Sequence, residues 1–94
     1  MSIKEKMLRI LALALEINNP EVDAIGKKKT AVFVEWYPHC NCYEIMIHSG
    51  GWVEDVIGEE DIRAYTDRDN ADETLDAIIS HLESILAEEG EQNV

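Results

Sequence analysis

His39, Cys40 and Cys42 fall within four consecutive positions, and His48 follows six residues after Cys42. Thiolates and imidazoles are the natural ligands of a tetrahedral zinc ion, and four such groups suffice to close a structural site. The spacing argues against one. Structural sites usually separate paired cysteines by two to four residues, whereas Cys40 and Cys42 are separated by Asn41 alone, and His48 stands well down the chain from both. The sequence is therefore read as having no metal site and no cofactor, with His39, Cys40, Cys42 and His48 as the residues that would ligate if a metal were bound. A cysteine nucleophile would need a base and a lowered pKa, which His39 or His48 could supply. No glycine-rich oxyanion loop surrounds either cysteine. Glu35 and Glu44 form a further pair of interest, because two facing carboxylates can separate their pKa values for acid–base work. With no pocket legible around them, mutual repulsion relieved by solvent is the expected outcome. Gly50-Gly51 lacks the strand–glycine–helix context and the lysine of a phosphate loop. From these readings an enzyme is not expected.

Charge carries a stronger signal. Twenty Asp and Glu against eight Lys and Arg give a net charge of −12 over 94 residues. A small domain stays soluble with a net charge of roughly 2–8 in magnitude, so solubility alone does not require so much. The charge is also segregated. Residues 1–47 hold six acids and six bases, while residues 48–94 hold fourteen acids with only Arg63 and Arg68. No Lys or Arg follows Arg68, and the basic counterpart is the local run Lys27-Lys28-Lys29. Such a field repels nucleic acid and anionic membranes and attracts basic proteins.

The elements that position these groups follow from periodicity. Ser2 and Glu5 form a capping box that opens a helix to about Asn18, and Asn18-Asn19-Pro20 ends it. Ile3, Met7, Ile10, Leu11, Ala14, Leu15 and Ile17 are expected on one side of it, with Leu8 and Leu13 on the flanks and Glu5, Lys6, Arg9 and Glu16 as the polar strip. That apolar arc is wider than the roughly 100° stripe of a one-sided surface helix, which predicts either wrapping on both flanks or contact with another chain. Residues 30–37 and 42–48 are rich in β-branched and aromatic side chains and read as a hairpin closed by Pro38-His39-Cys40-Asn41. Parity then places Val32, Val34, Trp36, Tyr43, Ile45 and Ile47 on the core face. Ala31, Phe33, Glu35, Tyr37, Cys42, Glu44, Met46 and His48 go to the other. Gly50-Gly51 is a turn, Trp52–Ile57 a short fourth strand or a loop, and Ile62–Thr66 the last strand. Asn70 and Glu73 (with Asp69 as an alternative cap) start a helix whose stripe is Leu75, Ile78, Ile79, Leu82, Ile85 and Leu86, with Gly90 as its stop. The expected fold is α+β: helix, three antiparallel strands (four with 52–57), helix, the two helices on one face of the sheet. Residues 1–94 form a single domain, with 88–94 as a frayed tail. A chain of this size buries only about 60–65% of its unfolded surface.

The N-terminus imitates a signal peptide, with Lys4, Lys6 and Arg9 before Ile10-Leu11-Ala12-Leu13-Ala14-Leu15. The run is six residues long and stops at Glu16, too short for a secretory core or a membrane span. Two reduced cysteines that cannot close an unstrained disulfide with each other fit the same compartment. The expectation is a cytoplasmic protein with no membrane association.

The order helix–three strands–helix resembles the double-stranded-RNA-binding domain. That family holds phosphates with a basic patch at the start of its last helix. Here the stretch reads Asp69-Asn70-Ala71-Asp72-Glu73, of opposite sign, so direct nucleic-acid binding is not expected. The hairpin Val32-Phe33-Val34-Glu35-Trp36 and Ile45-Met46-Ile47-His48, ending in Gly50-Gly51-Trp52, resembles short uncharacterised proteins of phages and prophages over about 25 residues. That resemblance implies a small accessory protein and no catalytic activity. The expected function is therefore a non-catalytic acidic interaction protein. It docks Asp69, Asp72, Glu73, Asp76 and Glu83 on a basic protein partner, in the manner of a DNA-mimic inhibitor. The alternatives are a homo-oligomer whose acidic face is merely solvated, a homodimer through helix 1 or the second sheet face being expected in its own right, and a metal- or thiol-active module at 39–48.

Overall fold

A computed structural model of the chain describes residues 1–18, 30–48 and 60–92. Helix α1 spans Ile3–Asn18, strands β1, β2 and β3 span Ala31–Tyr37, Cys42–His48 and Glu60–Tyr65, and helix α2 spans Ala71–Gln92. The strands form one antiparallel meander in the order β1-β2-β3. The helices pack on each other and on the sheet, α1 over β1 and α2 over β3. The fold is the α+β arrangement expected from the sequence. Gly50-Gly51, the fourth-strand segment Trp52–Ile57 and the basic run Lys27–Lys29 lie outside the described residues.

The start of α1 is fixed by a reciprocal cap. The Glu5 backbone N–H donates to Ser2 Oγ and the Ser2 N–H donates to Glu5 Oε1, each at 3.2 Å. Two of the donors that a helix start leaves unpaired are thereby satisfied. The hairpin pairs Tyr37 with Cys42 and runs in register to Ala31 and His48, so its loop is Pro38–Asn41. Asn41 takes a positive φ of 52°, a conformation asparagine tolerates better than most residues. Strand β3 begins at Glu60, two residues earlier than expected. Helix α2 follows Asn70, whose carbonyl accepts from both the backbone N–H and the hydroxyl of Thr74 at 3.0 Å. It continues through Gly90 to Gln92 rather than stopping at the glycine.

The core is built from Ile10, Leu13, Ala14 and Ile17 of α1, Val32, Tyr43, Ile45, Ile47 and Ala64 of the sheet, and Leu75, Ile78, Ile79 and Leu82 of α2. Val34, Ile62, Ile85 and Leu86 pack at its margin. Register keeps Trp36 on the face of Val32, Ile45 and Ile47, as parity expects, but those three are buried while Trp36 is 42% exposed. Tyr43, its register partner, takes the space beneath α1. The Tyr43 hydroxyl donates to the Met7 carbonyl at 2.8 Å, and the Trp36 ring lies edge-on against it at the rim.

The face that α1 buries is rotated from expectation. Leu13, placed on a flank by the wheel, is in the core, and Lys6 is buried, whereas Leu8, Leu11 and Leu15 are exposed. The helix touches two surfaces at once, the sheet below and α2 beside it, which swings its buried sector toward α2. Asn18 ends the helix by donating its side-chain N–H to the Val32 carbonyl and accepting from the Val32 N–H, both at 2.8 Å. One outward-pointing pair of groups on the sheet edge is satisfied in this way.

Candidate functional site: an acidic helix and an open sheet face

Helix α2 presents the acidic surface. Its apolar stripe faces α1 and the sheet, so Asp72, Glu73, Asp76, Glu83 and Glu88 point outward and are exposed, with Asp69 exposed just before the helix. The five residues singled out from sequence thus lie along one side of the molecule. Asp72 and Asp76, like charges at i,i+4, are offset by a residue distant in the chain. Lys6 of α1 reaches across and its Nζ lies 2.9 Å from Asp72 Oδ1 and 3.0 Å from Asp76 Oδ1. Hydrogen bonds to these two carboxylates raise the Lys6 pKa above its ordinary value, and burial opposes them. The ammonium is held charged between carboxylates that would otherwise repel at i,i+4. Arg9 stands 4.0 Å from Glu83, an exposed and weaker contact. The helical wheel puts Lys6 in the polar strip of α1, whereas the structure buries it. The signal was present, since Lys6, Ile10, Leu13 and Ile17 recur at i, i+4, i+7 and i+11 and share one side of the helix. Among the described residues Asp69, Glu73 and Glu88 make no ion pair.

The sheet face away from the helices is polar and more enclosed than expected. Register sets Tyr37, Cys42 and Tyr65 in one row across the strands, Glu35, Glu44 and Arg63 in the next, and Phe33, Met46 and Asp61 in a third. The Glu35–Glu44 repulsion anticipated from sequence is relieved by protein groups rather than by solvent. The Tyr37 hydroxyl donates to Glu35, and Arg63 Nε donates to Glu44 Oε2 at 2.6 Å while its Nη2 lies 3.5 Å from Asp61. Glu44 is only 7% exposed, and Cys42 and His48 on the same face are also buried. Neighbouring aromatic and arginine side chains cover this face where no helix does. Phe33 sets its ring edge-on to His48 at 5.4 Å, and Arg68 lies over the Tyr65 ring at 4.0 Å.

A shallow cavity of about 260 Å³ opens here, lined by Tyr37, His39, Cys40, Cys42, Glu44, Arg63 and Tyr65. It gathers three of the four residues considered for a metal or thiol site. His48 lies at the far end of β2 from Cys42, about 20 Å along an extended strand. Among the described residues no group of three or more His, Cys, Asp or Glu side chains is placed to hold a metal ion. Burial pushes the Cys42 thiol pKa up, the neighbouring Cys40 and Glu44 add to that, and Arg63 and a Tyr65 hydrogen bond oppose it. Cys42 is thus kept protonated, the opposite of an activated nucleophile. Cys40 is exposed, and both cysteines are free.

Among the described residues no helix is long and apolar enough to cross a membrane. Comparison of the chain with protein-family models, with curated proteins and with solved structures finds no match in any of the three.

Proposed function

We propose that this chain is a non-catalytic acidic interaction protein that docks the outer side of α2 on a basic protein partner. The observation that carries this reading is the one-signed surface from Asp69 to Glu88, where Asp69, Asp72, Glu73, Asp76, Glu83 and Glu88 are exposed and no Lys or Arg occurs. Lys6 and Arg9 neutralise only the edge of α2 that meets α1. Asp69, Glu73 and Glu88 are left to the solvent or to an incoming cation. A row of carboxylates on a rigid helix is the pattern that imitates a phosphate array, so the fitting partner is a nucleic-acid-binding protein. In this reading the protein is an inhibitor or accessory factor of phage or prophage type, acting in the cytoplasm.

The Lys6 bridge favours a second reading, in which the acids of α2 serve folding and solubility alone. The two readings separate experimentally. The whole protein and its Asp69→Lys/Glu73→Lys/Glu88→Lys variant are immobilised in parallel and exposed to the same cell extract at low and at high salt. Capture of basic proteins by the unmodified protein, lost in the variant and lost at high salt, supports docking. Equal capture by both, or none by either, supports the solvated-face reading.

A further inference from the structure

Tyr37, Cys42 and Tyr65 form one row across the open sheet face, with a large ring on each outer strand and a small thiol on the central one. That contrast in size hollows the face, and the cavity of about 260 Å³ lies there. Its walls are already held in place. The Tyr37 hydroxyl donates to Glu35, Arg68 lies over the Tyr65 ring at 4.0 Å, and Arg63 Nε donates to Glu44 Oε2 at 2.6 Å. Side chains fixed before a ligand arrives lose little freedom on binding it.

The second oxygen of Glu44 selects the ligand. Glu44 is a buried residue that lines the cavity, and its Oε1 has no hydrogen-bond partner among the described residues. Nor is Oε1 sealed away, since among those residues no fully buried side-chain oxygen or nitrogen lacks a partner. A carboxylate oxygen open to the cavity accepts and cannot donate. We propose that this cavity binds a small planar organic cation of the guanidinium or amidinium class, held by Glu44 and the Tyr37 ring.

Charge disfavours the opposite class. Among the described residues the strands set Glu35, Glu44 and Asp61 on this face against Arg63, and Arg68 adds one positive charge beside Tyr65. The fixed charge is therefore negative, and Arg63 already gives Nε to Glu44 and places Nη2 near Asp61. Tyr37 favours a cation as well, because a phenol that donates to a carboxylate is polarised toward a more electron-rich ring. The protein itself seats guanidinium groups on the same kinds of surface, Arg68 on Tyr65 and Arg63 on Glu44. A guanidinium is flat and weakly hydrated, so a shallow site accommodates it at less cost than an ammonium. The cavity exceeds the roughly 150 Å³ that holds a benzene ring and falls short of the roughly 300 Å³ where drug-sized pockets begin. One group of side-chain size fits, whether a free small guanidine or the arginine side chain of another protein. The proposal stands independently of docking on α2.

Titration of the isotope-labelled full chain with methylguanidinium, followed through backbone amides, tests this. The salt concentration is set high enough to suppress any response at Asp69, Glu73 and Glu88. Saturable shifts at Cys42, Glu44 and Arg63 are expected at millimolar probe, with none from methylurea, which is planar and neutral. Glu44→Gln is expected to weaken binding about tenfold or more, whereas Glu83→Gln, which removes the same charge from α2, changes it by about twofold at most. Tyr37→Leu is expected to weaken binding likewise, and decides the matter if Glu44→Gln disturbs folding. A blocked arginine amide separates the sources: binding equal to that of methylguanidinium supports an arginine side chain, and binding of methylguanidinium alone supports a free small molecule. Shifts that never saturate, shifts of equal size with methylurea, or binding indifferent to both Glu44→Gln and Tyr37→Leu overturns the proposal.

Discussion

Ile45 sits at the centre of the sheet, fully buried, with Val34 and Ile62 as its register partners. Truncating it to Ala removes three methyl-sized groups from a site closed on all sides, so Ile45→Ala is expected to cost about 2–5 kcal/mol in urea denaturation. Phe33→Ala, on the open face and partly exposed, should cost clearly less. The titrating residues set a different limit. Burial raises the Tyr43 phenol pKa to about 12, and a hydrogen bond to Glu35 raises that of Tyr37 to about 12. A group whose pKa is raised by folding contributes stability that is complete below its unfolded pKa and lost as pH climbs through the folded value. The phenols thus lose their contribution between pH 10 and about 12, and Lys6 loses its own above 10.5. Stability measured against pH should fall steeply across that alkaline window, and a flat profile from 10 to 12 would contradict these placements. The thiols give a third check at this scale. Cys40 is exposed while Cys42 is buried with a raised pKa, so a maleimide in brief, limiting exposure should label Cys40 first. Peptide mapping that finds Cys42 labelled first would exclude the described hairpin face.

Among the elements, the local signals were the most legible in the sequence. The Ser2–Glu5 cap, the four-residue hairpin loop and the stripe of α2 all depend on neighbours within a few positions, and each is found as expected. Ser2→Ala should destabilise the protein by about 1 kcal/mol through loss of the cap, read from the shift in the urea midpoint. What sequence alone misplaced depends on contacts distant along the chain. The buried face of α1 could not be centred without knowing that α2 lies beside it, so Leu13 and Lys6 changed places with Leu11 and Leu15. Parity puts Trp36 on the core face but does not say whether anything covers it at the end of an edge strand. The role of Arg63 was hidden for a similar reason. Its pairing with Glu44 follows from the β2–β3 register, and the eleven residues 49–59 that separate those strands in sequence are too many for a hairpin turn type to set it.

At the scale of the whole molecule the chain divides by charge and by function of surface. The outward side of α1 exposes Leu8, Leu11 and Leu15, the outer side of α2 is acidic, and the sheet face opposite the helices ties its carboxylates to Arg63 and Tyr37. The sequence located the acids correctly but left the bridge to Lys6 unseen, because Lys6 and Asp72 are 66 residues apart. That bridge alters which residues can test the docking surface. Reversing Asp72 or Asp76 would break an internal contact, whereas Asp69, Glu73 and Glu88 report on the outer side of α2 alone. The most direct measurement is a titration of the isotope-labelled protein with a lysine- and arginine-rich peptide, followed through backbone amide resonances. Docking on α2 is expected to shift the amides of Asp69, Glu73, Glu83 and Glu88 together, with the shifts suppressed by salt and absent in the Asp69→Lys/Glu73→Lys/Glu88→Lys variant. Shifts centred on Glu44, Arg63 and Tyr65 instead, or none on α2 at low salt, would contradict the account.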